Sequence, residues 1–124
     1  MNGNLNSAKS IYLQIAEMLE DNILRDILME EEQVPSTNEL ARTFSINPAT
    51  AAKGINILVE EGTIYKRRGI GMFVAGGAKA KIIEKRKTSF FEEYIKSLVR
   101  EAKGLKISKT ELVDMIDKAI TEEK

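Results

Sequence analysis

The chain has 124 residues, 43% apolar and 31% charged, and a formal net charge of zero, the size and balance of a small globular domain with an appendage. It has no cysteine and no histidine, which excludes disulfides, thiolate zinc sites and the Ser-His or Cys-His pairs of nucleophilic catalysis. No apolar run approaches the roughly 20 residues that span a bilayer, and the first residues lack a signal-peptide core. A cytoplasmic protein with no membrane partner is therefore expected, and nothing calls for a cofactor or a metal.

Residues 1–9 are polar and read as a loose tail. A first helix is expected over about Ser10 to Ile27, with Ser10 as N-cap and Tyr12, Ile15, Leu19 and Ile23 on one apolar face. Glu30-Glu31-Glu32 reads as a solvated connector. Ser36 with Glu39 fits a capping box opening a short second helix, whose Leu40, Ala41 and Phe44 face inward. Asn47-Pro48 opens a third, with Asn47 as N-cap and proline at the first helical position. Its inner face is Ala51, Ile55 and Leu58, and Gly62 stops it.

Two short strands, Thr63–Lys66 and Met72–Val74, flank Arg67-Arg68-Gly69-Ile70-Gly71, a glycine-bearing turn. A hairpin directly after a helix is a wing. Gly76-Gly77 reads as a hinge. Beyond it Phe91, Ile95, Leu98, Ala102 and Leu105 recur four and three apart, a heptad-like seam with Phe90 and Tyr94 beside it. Gly104 weakens the helix end. Ser108 with Glu111 fits a second capping box, and the last helix carries Leu112, Met115, Ile116 and Ala119. The expected fold is mainly α with a small β-hairpin: a winged helix-turn-helix over residues 10–76 and a helical dimerisation tail over 77–124.

The second and third helices with their tight turn make a helix-turn-helix. Such a motif places the start of its second helix at base edges in the major groove. Ala49, Thr50 and Lys53 are expected to face outward there, and the small residues among them let the helix seat deeply. Thr50 suits a phosphate or a thymine methyl, and Lys53 a phosphate or guanine. Lys66, Arg67 and Arg68 give the wing a basic tip, and its glycines allow close backbone approach.

Residues 1–76 hold 7 Lys and Arg against 10 Asp and Glu, and residues 77–124 hold 12 against 9. Any DNA surface must therefore be a local patch. Lys79, Lys81, Lys85, Arg86 and Lys87 read as a solvated helix face. Gly69-x-Gly71 is followed by a strand, which rules against a nucleotide loop. Zero net charge and the three glutamates keep a second reading open, a winged-helix protein-interaction module without DNA readout. An enzyme is not expected, since no acid cluster lies beside a plausible pocket.

Ile11-Tyr12-x-Gln14-Ile15, Val34-Pro35-Ser36-x-x-Glu39-Leu40-Ala41, Glu61-Gly62-x-Ile64 and Gly69-x-Gly71-x-Phe73-Val74 together resemble the GntR family of bacterial regulators. The short tail and Asn47-Pro48 resemble its YtrA-like branch, many of whose members repress transporter operons. The resemblance implies a homodimeric repressor that binds double-stranded DNA at an inverted-repeat operator. By position it implies DNA contacts from Ser36, Thr37, Asn38, Asn47, Ala49, Thr50, Lys53, Arg68 and Gly69, joined by Arg42, Arg67 and Gly71. The dimer interface is expected from Phe90, Phe91, Tyr94, Ile95, Leu98, Leu105, Leu112 and Ile116. No effector small molecule is named by the sequence, and Phe90, Phe91 and Tyr94 read as core or interface aromatics ahead of the lining of a small effector pocket.

Some positions depart from the family pattern. Asp26 and Glu31 replace two glycines, Asn38 a frequent arginine, Ala52 a polar or basic residue and Gly54 a usual alanine. The last is expected to cost about 1 kcal/mol of helix propensity. With base-reading side chains few, phosphate contacts and DNA shape are expected to carry much of the binding.

Overall fold

In the computed structural model, residues 10–123 are described; the expected tail 1–9 lies outside them. The first helix, α1, spans Ile11–Leu24. Ile15, Leu19 and Ile23 are buried on one face, and Tyr12 is only half-buried. Ser10 precedes the helix without a side-chain cap, and its carbonyl accepts from the amides of Leu13 and Gln14. The helix ends earlier than its periodicity predicts because Asp26 turns left-handed at φ 60°. The amide of Ile27 then bonds back to the Asn22 carbonyl at 2.8 Å and that of Asp26 to Ile23 at 3.2 Å, the paired closure that satisfies a helix's last carbonyls.

Helix α2 spans Thr37–Phe44. Its capping box is formed: the Glu39 amide donates to Ser36 Oγ at 3.1 Å, and the Ser36 amide to Glu39 Oε1 at 2.9 Å. Ser45, left-handed at φ 54°, reverses the chain. Helix α3 spans Pro48–Glu60, and the Ala49 amide donates to Asn47 Oδ1 at 2.7 Å. Gly62 at φ 79° ends it.

Strands β1 (Ile64–Arg67) and β2 (Gly71–Val74) pair antiparallel, from Ile64 opposite Val74 to Arg67 opposite Gly71. The preceding acidic segment runs beside β2 and bonds to it without forming a strand of its own. The Glu31 amide bonds to Val74 O at 2.8 Å, Val74 to Glu32 O at 2.9 Å and Val34 to Met72 O at 2.8 Å, and Gln33 bridges Phe73. Glu30, Glu31 and Glu32 are exposed, as expected of a solvated connector, and each carboxylate also has an internal partner. Glu30 accepts from the Gly77 amide at 3.0 Å, Glu31 from the Tyr65 hydroxyl at 2.6 Å and Glu32 from the Met29 amide at 2.6 Å. Each carboxylate ties the segment to a neighbour, and Glu30 tethers Gly77, expected to be a hinge.

The core joins Ile15, Leu19 and Ile23 of α1, Leu40 and Phe44 of α2, Ala51, Ile55 and Leu58 of α3, and Val34, Ile64 and Val74. Gly54 belongs to this packing. A Cβ built on it would lie 2.7 Å from the Tyr12 carbonyl oxygen and 3.0 Å from Ile15 Cβ. The expected propensity cost of this glycine is thus offset by the close approach of α1 that it permits.

Helix α4 spans Ala78–Phe90. Two compact units divide the chain at 84/85. Ala78 and Ile82 belong to the first unit's core, which places that packing boundary beyond the Gly76-Gly77 pair. The second unit holds a π-helical segment, Phe91–Ile95, then α5 (Lys96–Gly104) and α6 (Lys109–Glu122). The π turn interrupts the expected seam, because its extra residue shifts Phe91 in phase from the later seam positions. Lys106, left-handed at φ 57°, closes α5 with the Ile107 amide on Ala102 O at 2.9 Å. Ser108 and Glu111 form the second capping box, at 3.1 Å in both directions. Among the described residues of this unit only Ala102 is buried.

Candidate nucleic-acid interface

All the residues nominated for DNA lie in the first unit. Ser36, Asn38, Arg42, Asn47, Ala49, Lys53, Arg67, Arg68 and Gly69 are exposed, and Thr37, Thr50 and Gly71 are half-buried. The order α2, left-handed turn, α3 brings Ser36, Thr37 and Asn38 at one helix start and Asn47, Ala49 and Thr50 at the next. Helix starts carry unpaired amides and the positive end of the helix dipole, both suited to phosphate.

Two of the nominated polar groups already have local work. Ser36 Oγ and Asn47 Oδ1 accept cap bonds, so these side chains shape the helix starts first. The bonds from Ser36 hold the Glu39 carboxyl below the usual carboxylate range, its backbone amide foremost, with Arg42 adding a smaller pull.

Along α3 the outward side is open. A shallow depression there is lined by Ala49, Ala52, Lys53, Asn56, Ile57 and Glu60. Asn56 and Glu60 were not among the nominated residues. Counting three onward from Lys53 reaches Asn56 and four more reaches Glu60, so the helical period would have found them. Lys53 does not extend freely: its Nζ lies 4.0 Å from the centroid of the Tyr12 ring, a cation–π contact that biases where the ammonium points.

The wing divides its two arginines. Arg67 lies over Phe73, its guanidinium carbon 5.1 Å from the ring centroid, and Phe73 stacks on Tyr65 at 5.9 Å. Arg68 and Gly69 are exposed at the turn, where Gly69 holds φ 76°. The hydrogen bond to Glu31 raises the Tyr65 phenol above its ordinary value, with desolvation adding to it.

The residues nominated for the dimer all belong to the second unit. Phe90, Phe91, Tyr94, Leu98, Leu105 and Ile116 are exposed and Ile95 and Leu112 half-buried. In the single chain exposure reaches 62% at Tyr94 and 65% at Leu105. Met115, expected on the last helix, is exposed too, and Val99, Val113 and Ile120 add exposed apolar area that the spacing did not single out. The Phe90 and Tyr94 rings sit 5.4 Å apart.

Against this geometry, the family model described as "Bacterial regulatory proteins, gntR family" matches residues 11–74. The HTH-type transcriptional regulator YhcF of Bacillus subtilis is 32% identical over 122 residues, covering 98% of both chains. The HTH-type transcriptional repressor YtrA of the same organism is 32% identical over 96 residues, 77% of this chain and 73% of YtrA. The crystal structure of a GntR-family regulator from Bacteroides thetaiotaomicron superposes with a TM-score of 0.80 at 38% identity, over 92% of this chain and 99% of that one. The match therefore runs through the wing and, in the full-length relatives, through the helical tail. This chain belongs to the gntR family of bacterial regulatory proteins, winged helix-turn-helix DNA-binding regulators of transcription rather than enzymes.

Proposed function

We propose that the chain is a cytoplasmic homodimeric repressor of the YtrA-like branch that binds an inverted-repeat operator, with a transporter operon as its target. The observation that carries this reading is the open outward side of α3. From Ala49 to Asn56 it shows small and polar residues to solvent, beside a wing whose tip presents Arg68.

In this reading α3 enters the major groove while the start of α2 meets the backbone. Thr37 and Thr50 offer hydroxyls beside the helix-start amides, Asn38, Arg42 and Arg68 offer donors to phosphate, and Thr50, Lys53 and Asn56 are positioned for base edges. The exposed apolar face of 85–123 is covered by a second copy. Two α3 helices then reach successive major grooves roughly 34 Å apart or a multiple of that. The protein-interaction reading drew on zero net charge and the three glutamates, which are exposed and each accept one internal hydrogen bond.

The test is gel-shift titration over a salt series, on duplexes from the region upstream of the protein's own operon. Arg68→Ala should weaken binding to every sequence and reduce the salt slope by about 1, whereas Thr50→Ala should cost about 1–3 kcal/mol mainly at one base position. An unchanged slope for Arg68→Ala removes the wing from the mechanism, and no retained duplex at low salt returns the protein-interaction reading.

A further inference from the structure

The wing turn carries a residue that neither its fold nor its charge explains. Ile70 is 57% exposed, next to an arginine at a hairpin tip. It is nevertheless held at its backbone. Gln33, the residue bridged to Phe73, donates Nε2 to the Ile70 carbonyl at 3.1 Å, and the Ile70 amide donates to Arg67 O at 2.9 Å. Gly71 packs against the Gln33 amide so closely that a Cβ would collide with it, while a Cβ on Gly69 would meet nothing within 4 Å. The tip is braced on one side and open on the other.

Isoleucine has no polar atom to offer a phosphate. Its burial on DNA is favourable only against apolar surface. The sugar edges that wall the minor groove supply such surface, and apolar side chains at protein tips are seated there in other DNA binders. The floor of that groove separates the two kinds of base pair by one group, the guanine 2-amine. An isoleucine pressed on that amine removes its water and returns no acceptor, and an unsatisfied buried donor is costly.

We propose that Ile70 reads the minor groove by exclusion, selecting base pairs without a purine 2-amino group under each wing. The inference rests on the DNA-binding reading above and adds a specificity determinant to it. Arg68 beside it supplies attraction for the groove, and Ile70 supplies the discrimination.

The test starts from duplexes that the full chain retains from a random pool. At each position A·T is replaced by G·C and, separately, by inosine·cytosine, which keeps the G·C major groove but lacks the 2-amine. At one step per half-site, G·C should weaken binding about tenfold, the size of a typical wrong-pair penalty, and inosine·cytosine should restore it. Ile70→Asn, which brings an acceptor for the amine, should shrink that penalty to below about threefold, while Ile70→Val keeps it. Ile70 is exposed, so both variants should fold, as their melting temperatures would show. Inosine·cytosine binding as poorly as G·C at every position, or Ile70→Asn discriminating like the parent, overturns the proposal and leaves DNA binding standing. A pool that yields no retained duplex overturns both.

Discussion

Gly54 of α3 faces the carbonyl oxygen of Tyr12 across the α1–α3 contact, with room for a hydrogen and none for a methyl group: the added carbon would sit 2.7 Å from that oxygen. Helix propensity alone favours alanine here by about 1 kcal/mol. Overpacking a tight contact costs about 1–3 kcal/mol, and the obstructing atom is backbone, which yields little. Gly54→Ala should therefore destabilise the first unit, lowering its melting temperature by several degrees. Calorimetry or CD melting checks this, and a raised melting temperature would show that α1 can retreat at no cost. Because Tyr12 also carries the Lys53 ammonium on its ring, the same variant should weaken DNA binding even well below its melting point.

Asp26 and Glu31 hold left-handed backbone, at φ 60° and 70°. Non-glycine residues pay about 1–2 kcal/mol for that conformation. Their side chains compensate differently. Asp26 pairs with Lys79 at 3.1 Å in an exposed bridge, a kind worth about 0–1 kcal/mol. Glu31 accepts a 2.6 Å bond from the Tyr65 hydroxyl. Asp26→Gly should accordingly raise stability, by about 0.5–1 kcal/mol once the freer unfolded chain is counted. Glu31→Gly should gain less or nothing, because it also strips Tyr65 of its partner. Denaturant unfolding of the two variants side by side checks the order; equal gains would mean the Tyr65 bond contributes nothing.

These two positions show what sequence could and could not reveal. Their departure from the family's glycines was visible, but the strain was not, since φ is set by tertiary closure. Both capping boxes, the proline start of α3 and the hairpin were legible because each is a local rule written in four or five residues. The bonds that hold the acidic segment beside β2 were not. Glu30-Glu31-Glu32 has a solvent-loving composition, and only long-range bonds from Val74, Tyr65 and Gly77 make it structural. The π turn at Phe91–Ile95 escaped for a related reason: the four-three spacing presumes an unbroken α period. In the interface, Asn56 and Glu60 were reachable by period alone, whereas Lys53 resting on Tyr12 needed the α1–α3 packing.

The start of α2 should respond to acid. The Ser36 amide and hydroxyl lower the Glu39 pKa from 4.5, so the folded state binds this proton less tightly than the unfolded chain does. Stability from the capping box is then present above the ordinary carboxylate range and is lost as pH falls through the depressed folded value. Glu39→Gln should thus be less stable than the parent at neutral pH, and the gap should close in acid. Chemical unfolding between neutral pH and about pH 3, near and below the usual glutamate range, reads the gap. A gap that stays constant with pH would assign the loss to something other than the charge.

The proposed second copy makes a prediction about the apolar face of residues 85–123, where only Ala102 is buried among the described residues and Leu98, Ile116 and Ile120 stand exposed. A face of this kind is covered in a stable oligomer rather than left to water. The parent should therefore sediment as a dimer and melt at a temperature that rises with protein concentration, since association stabilises the folded form by mass action. Ile116→Glu places a charge in that face and leaves the sequence of the first unit unchanged. It should yield monomers that keep the first unit's fold and lose most operator affinity, because two tethered half-site contacts become one. Sedimentation and gel shifts on a full and a half operator separate the outcomes. Monomers that bind the full operator as tightly as the parent would detach this face from DNA recognition, and a parent that is itself monomeric at micromolar concentration would remove the two-fold arrangement altogether.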